Sequence, residues 1–241
     1  MLQVIDLKYS YKNAGDKQFC FNLEVKQGEI VSLIGSSGSG KTTLLNLIAG
    51  FLQAQSGQIL IDKENISHLP IAKRPVTTVF QDHNLFPHLD VFTNIAIAIK
   101  PSLKLQQQQK EQINQALSDV GLADLAKRMP AQLSGGQRQR VALARTLVRK
   151  QKILLLDEPL AALGPGMREE IIELIKSLVS KNRMAALFVS HQPEDALLAS
   201  RRTAFIHEGK VLQIGATHTL LKNPQQPQIR DYLSISESVP E

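Results

Sequence analysis

Short runs of apolar and β-branched residues recur along this chain, at 4–7, 19–25, 30–34, 59–61, 76–80, 153–156, 185–189 and 204–206, and each has the length and composition of a β-strand. The run 153–156 is apolar at every position, as suits a strand covered on both faces. Elsewhere the spacing is helical. It covers 42–50, then 109–120 through Ile113, Ala116, Leu117 and Val120, then 167–179 through Ile171, Leu174, Ile175 and Leu178. Strands that alternate with helices predict an α/β fold with a mostly parallel core sheet.

Between residues 81 and 150 the alternation stops. Helix-like segments follow one another with few strand candidates, broken by Pro87, Pro101 and Pro130. We read residues 82–150 as a helical subdomain inserted into an α/β core made of 1–81 and 151–222. A glutamine tract at 106–109 reads as a solvated helix start. The last stretch, 223–241, is polar and serine-rich, too short for a further domain, and is expected to fray over 237–241. No internal repeat is visible.

With 241 residues, 43% of them hydrophobic, the chain has material for a sizeable core. It holds no run near the ~18 consecutive apolar residues of a membrane-spanning helix, and residues 1–12 lack the apolar centre of a signal peptide. The protein is therefore expected to be soluble and to stay in the compartment where it is made. Cys20 is the one cysteine, so no internal disulfide can form; the expectation is a reducing compartment and a buried, inert thiol. A net charge of +6 raises nucleic acid as a partner. Against it, the lysines and arginines are scattered, and with no Trp and three Tyr the chain has few platforms for stacking bases. A solvated surface is the better reading.

Candidate chemistry begins at residue 35. Gly35, Ser36, Ser37, Gly38, Ser39, Gly40, Lys41 and Thr42 match the P-loop pattern, and they lie after the strand at 30–34 and before a helix, where that pattern must lie. Glycines at these places allow backbone conformations closed to other residues, which turns successive N–H groups toward phosphate oxygens at a helix N-terminus. Lys41 would reach the β- and γ-phosphates of ATP, the Thr42 hydroxyl would ligate Mg²⁺, and Thr43 would touch the α-phosphate. Farther along, the strand at 153–156 runs into Asp157 and Glu158, and in open α/β sheets ligands bind beyond the carboxyl ends of the strands. Asp157 is thus placed to hold Mg²⁺ through water, and Glu158 to face the γ-phosphate. The plainer alternative is a turn before Pro159. His191 follows the strand at 185–189 in the same way; it is either a donor to the γ-phosphate or attacking water, or an ordinary loop histidine.

A second glycine-rich helix start follows Leu133. Ser134 stands at an N-cap position, Gly135, Gly136 and Gln137 come next, and the stretch through Arg145 reads as helical. A chain with one P-loop has no evident need for another phosphate site. Two copies placed head to tail would use it, each closing over the other's ATP.

On these residues, the chain resembles the ATP-binding cassette ATPases over nearly its whole length and in the family's motif order. The resemblance implies a P-loop NTPase fold: a RecA-like, mostly parallel core sheet, an antiparallel β subdomain and the inserted helical subdomain. It implies an ATPase using ATP and Mg²⁺, with Glu158, His191, Gln81 and Lys41 carrying the chemistry and Thr42, Gln81 and Asp157 holding the metal. Tyr11 lies where the family's adenine-stacking aromatic sits, or else packs as a strand residue. Residues 82–94 would receive a coupling helix from a membrane permease, with a structural loop as the alternative. One departure concerns the D-loop: where the family has Ala-Leu-Asp this chain has Ala162, Leu163 and Gly164, so an aspartate that joins the two ATP sites is missing.

Segments 44–52, 74–81, 84–89 and 101–105 resemble the ATPases of bacterial importers of small solutes, those for thiamine first, with iron, polyamine and sulfate importers as alternatives. The chain ends soon after the nucleotide domain, without the regulatory domain usual in the alternatives, which agrees with thiamine. Expected partners are then a second copy of the chain, a transmembrane permease and, indirectly, an external solute-binding protein, with no nucleic acid. The expected location is peripheral, on the cytoplasmic face of the inner membrane. A cassette protein acting on DNA or ribosomes, and a nucleotide-binding regulator without turnover, are the remaining readings.

Overall fold

In the computed structural model of the chain, residues 1–11, 18–80, 84–161 and 163–234 are described. Among them ten strands join in one sheet: β1 (Leu2–Ser10), β2 (Gln18–Val25), β3 (Ile30–Ile34), β4 (Ser56–Ile61), β5 (Glu64–Asn65), β6 (Val76–Val79), β7 (Ile153–Asp157), β8 (Ala185–Val189), β9 (Arg202–His207) and β10 (Lys210–Ala216). Their order is β5-β4-β1-β2-β10-β9-β3-β8-β7-β6. From β9 to β6 every pairing is parallel, and from β5 to β2 every pairing is antiparallel. The join between the halves is narrow. β10 runs antiparallel to β9 along its length, yet meets β2 in parallel only where Lys210 faces Cys20.

Every predicted run lies within a strand except for Phe80, one residue past β6. β1 is longer than its apolar run because a bulge between Val4 and Leu7 breaks the alternation. There Asp6 takes a φ of 43°, its N–H donates to Asn22 Oδ1, and its carboxylate accepts from the same amide. β5 and β10 were not predicted: β5 is two exposed polar residues, and β10 is half-exposed, its apolar Val211, Leu212 and Ile214 interrupted by Gln213 and Gly215.

Eight helices accompany the sheet among the described residues: α1 (Lys41–Ala49), α2 (Val91–Ala96), α3 (Gln107–Asp119), α4 (Gly135–Arg149), α5 (Pro165–Lys181), α6 (Pro193–Ala199), α7 (Thr217–Lys222) and α8 (Pro227–Tyr232). Of these α2, α3 and α4 all fall between β6 and β7. The strand β7 is covered on both faces, with Ile153 and Leu155 in the apolar layer of α1, and Leu154 and Leu156 in the layer of α4 and α5. Burying each such side chain is worth about 1.5–3 kcal/mol, so the end of β7, where the two carboxylates stand, is firmly placed.

Cys20 is half-buried, not buried as expected, because on β2 it points opposite to the core residues Phe19 and Phe21. The stretch read as a polar tail contains α8, whose Ile229 is buried with Phe205, Leu220 and Leu221. The fraying expected over 237–241 lies outside the described residues. Among those described, no helix is long and apolar enough to cross a membrane.

Candidate functional site

Between β3 and α1 the chain makes a glycine-rich turn, with φ of 145° at Gly35, 72° at Gly38 and 116° at Gly40. These values favour glycine. At Gly35 the crowding is as strict as the angle, since a Cβ there would lie 2.1 Å from the Ile206 carbonyl oxygen. Helix α1 starts with no side-chain cap at Gly40 and no acidic residue in its first turn, so its leading N–H groups and the positive end of its dipole are directed into the loop. Lys41 is buried, and its Nζ donates to the carbonyls of Gly35 at 2.7 Å and Ser36 at 2.9 Å. Burial pushes the Lys41 pKa down, while Glu158 and Asp157 oppose the shift. The Ser39 hydroxyl oxygen is buried without a hydrogen-bond partner among the described residues.

Facing this loop is the carboxyl end of β7. The Thr42 hydroxyl donates to Asp157 Oδ1 at 3.4 Å. Burial pushes the Asp157 pKa up, against the hydrogen bond from Thr42 and with the help of neighbouring Glu158. Glu158 itself adopts a φ of 48°, with its N–H bonded to the Val189 carbonyl, and its Oε2 lies 3.3 Å from His191 Nδ1. The turn that carries His191 is braced from α5 and α6. Ser190 Oγ donates to Asp195 Oδ2 at 2.7 Å, the Gln192 N–H donates to Ser190 Oγ at 3.0 Å, and Arg168 donates to Asp195, Gln192 and the Leu163 carbonyl. Asp195 and Arg168 were not predicted; they are 27 positions apart and carry no local pattern.

Tyr11 has its hydroxyl 3.1 Å from Thr43 Oγ1, and its ring meets Tyr9 and Phe19 edge-on. A cavity of about 650 Å³ is lined by Tyr11, Phe19, Ser37, Gly38, Gly40, Lys41, Thr42, Thr43, Glu158 and His191. Apart from Phe19, all of these were predicted as site residues. Phe19 was read only as part of a strand; it pairs across from Tyr9, and its ring lies 5.7 Å from that of Tyr11. A second cavity of about 660 Å³, between α3 and the C-terminal ends of α4 and α5, contains none of the predicted residues. Among the described residues no cluster of three or more His, Cys, Asp or Glu is placed to hold a metal ion.

Ser134, Gly135, Gly136 and Gln137 do not line the nucleotide-sized cavity. Ser134 caps α4 with a reciprocal pair of bonds: its Oγ accepts from the Gln137 N–H at 3.2 Å, and Gln137 Oε1 accepts from the Ser134 N–H at 2.9 Å. Gly136 is pressed against Met167 of α5, where a Cβ would come within 2.2 Å of the sulfur. Gln81 and Ala162 lie outside the described residues. Gly164 is the N-cap of α5 in an extended conformation, with open space where a side chain would go.

The chain matches the family model for ABC transporter over residues 20–161. It is 44% identical to Thiamine import ATP-binding protein ThiQ of Photobacterium profundum, over 98% of this chain and 100% of that one. The protein of the same name from Aliivibrio fischeri is 46% identical over 97% of this chain and 98% of its own. Among solved structures, a dimeric post-hydrolysis ATP-binding cassette bound to ADP and Pi has a TM-score of 0.76 at 29% identity, covering 90% of this chain and 99% of that one. A nucleotide-free ATP-binding cassette from an ABC transporter has a TM-score of 0.87, covers 98% of this chain and 99% of its own, and at 23% identity speaks for the fold alone. The phosphate loop, the carboxylates that end β7 and the capped turn at Ser134 all fall inside the matched span, and the chain belongs to the ABC transporter family.

Proposed function

We propose that this chain is the ATP-hydrolysing subunit of a bacterial importer, that it acts as a head-to-tail pair of copies, and that the solute moved is thiamine. The observation that carries the reading is the meeting, in one cavity, of the loop lysine Lys41 with the paired Glu158 and His191. Thiamine rests on the names of the relatives, which are similar along nearly the whole chain.

On this reading the N–H groups of residues 35–43 and Lys41 hold the triphosphate, and Tyr11 stacks on the base. Thr42 and Asp157 fit a Mg²⁺ ion, because a hydroxyl and a carboxylate converge beside the phosphate loop and hard cations prefer oxygen donors. Gln81 is the third proposed ligand. Bound there, Mg²⁺ would neutralise charge on the phosphates. Glu158 is the general base for the attacking water, and His191 orients it and donates toward the γ-phosphate. Ser134 to Gln137 serve the ATP held by the second copy, in keeping with their place outside this chain's own cavity and with the dimeric state of the 29%-identical cassette. Residues 82–150 act as the helical signature subdomain, with 82–94 as the surface that receives the permease, residues 1–81 and 151–222 as the catalytic core, and 223–241 as a C-terminal tail. The subunit then works at the cytoplasmic face of the inner membrane.

Glu158→Gln should lower turnover by about 10²- to 10⁴-fold, the usual worth of a general base, while nucleotide still binds. Phosphate release and nucleotide titration measure the two; undiminished release would remove Glu158 from the role. In the complex with its permease, thiamine-loaded binding protein should raise the ATPase rate. Stimulation by another loaded binding protein, and not by this one, would reassign the cargo.

A further inference from the structure

The C-terminal helix α8 reaches the His191 turn from behind. Ile229 anchors it in an apolar cluster with Ile34, Phe205 and Leu220, and the Tyr232 ring packs edge-on against Phe205 with centroids 5.3 Å apart. So held, the Tyr232 hydroxyl donates to the His191 carbonyl at 3.0 Å. Burial pushes the phenol pKa up, with Gly35 opposing, so the hydroxyl stays protonated and able to donate. The hydroxyl thereby ties α8 to the residue that pairs with Glu158.

We propose that Tyr232 is a positioning residue for hydrolysis, holding the His191 peptide in place and, through it, the Glu158–His191 pair. The proposal rests on the reading of Glu158 and His191 given above. Its physical basis is the exposure of the His191 side chain, 53% of which is open to solvent. A ring with so little packing takes its direction from its backbone, and small misplacement of a reacting group is costly in rate. The bracing from Ser190 and Asp195 fixes the residue before His191, and the bond from Tyr232 fixes His191 itself.

The test is made on the full-length chain, with ATP hydrolysis followed over a range of nucleotide concentrations. Tyr232→Phe keeps the ring contacts and removes the hydroxyl alone. It should lower kcat about fivefold, the worth of one hydrogen bond, with the KM for ATP nearly unchanged. In a His191→Ala background the same change should lower kcat no further, because the route through the imidazole is already gone. An unchanged kcat in Tyr232→Phe, an effect on KM alone, or an equal further fall in the His191→Ala background would each overturn the proposal. Glu158→Gln is measured alongside. If it retains turnover the hydrolysis reading fails; if it is inactive and Tyr232→Phe is silent, only the positioning role fails.

Discussion

The phosphate loop and the turn at Ser134 both begin a helix with glycines, and they are built in opposite ways. At α1 three glycines take positive φ, the cap residue lends no side chain, and a buried lysine turns back into the loop. At α4 the start closes on itself through the reciprocal Ser134 and Gln137 bonds, with Ser134 exposed. A helix end whose donors are met by its own side chains is stable facing solvent, whereas one that leaves them unmet must be shaped around an anion. On the proposed function the contrast separates gripping from covering: one copy would hold the triphosphate, and the other would bring a preformed lid to it.

Lys41→Ala strikes the gripping side and should have the largest effect on this contrast. Losing a charge-assisted contact in a dry loop should weaken ATP binding about a hundredfold, as calorimetric titration of dilute chains would measure. Ser134→Ala should leave that affinity in place, cut turnover at concentrations where copies pair, and reduce stability by about 1 kcal/mol through the lost cap. A fall in single-chain affinity for the Ser134 variant would erase the distinction.

Asp157, opposite the loop, gives an effect of sign. Burial raises its pKa in the folded state, so the folded protein binds that proton more tightly than the unfolded chain, and the ionised group costs stability at neutral pH. Asp157→Asn should therefore be more stable than the parent at neutral pH, the gain fading as pH falls through the raised pKa. Denaturant unfolding at several pH values reads this out, and a gain that persists in acid would refute the cause. Smallest is Gly164→Asp, at the start of the helix whose Met167 supports Gly136. The position has room and an extended backbone, so the side chain should cap α5 and add a few tenths of a kcal/mol. A loss of stability there would mean that the glycine answers to a constraint absent from this conformation.

The parts of the molecule that were legible in advance share a physical trait: their signal is local. β7 announces itself because four consecutive apolar side chains need cover on both faces, and the phosphate loop because a backbone cradle needs glycine at set intervals. Asp157, Glu158 and His191 follow from ending such strands in polar groups. The bracing of His191 was not legible, since Arg168, Asp195 and Tyr232 act through contacts across the fold that leave no periodicity. β10 escaped for a related reason: its half-exposed residues are held by pairing with β9, not by burial. Gly164 stands out in the sequence as a departure from the family's D-loop, but the open space around it belongs to the fold and leaves no mark in the sequence.

The seam where β10 meets β2 at a single residue pair also divides the cavity. Tyr11 and Phe19 stand on the antiparallel side, and the loop, Glu158 and His191 on the parallel side. If Tyr11 stacks on the base as proposed, substitutions at the end of β1 and in β2 would retune the taste for one heterocycle over another while the cleaving parts pass unaltered to descendants. On that reading, recognition of a nucleoside and scission of its phosphates would be separately heritable traits within one continuous sheet.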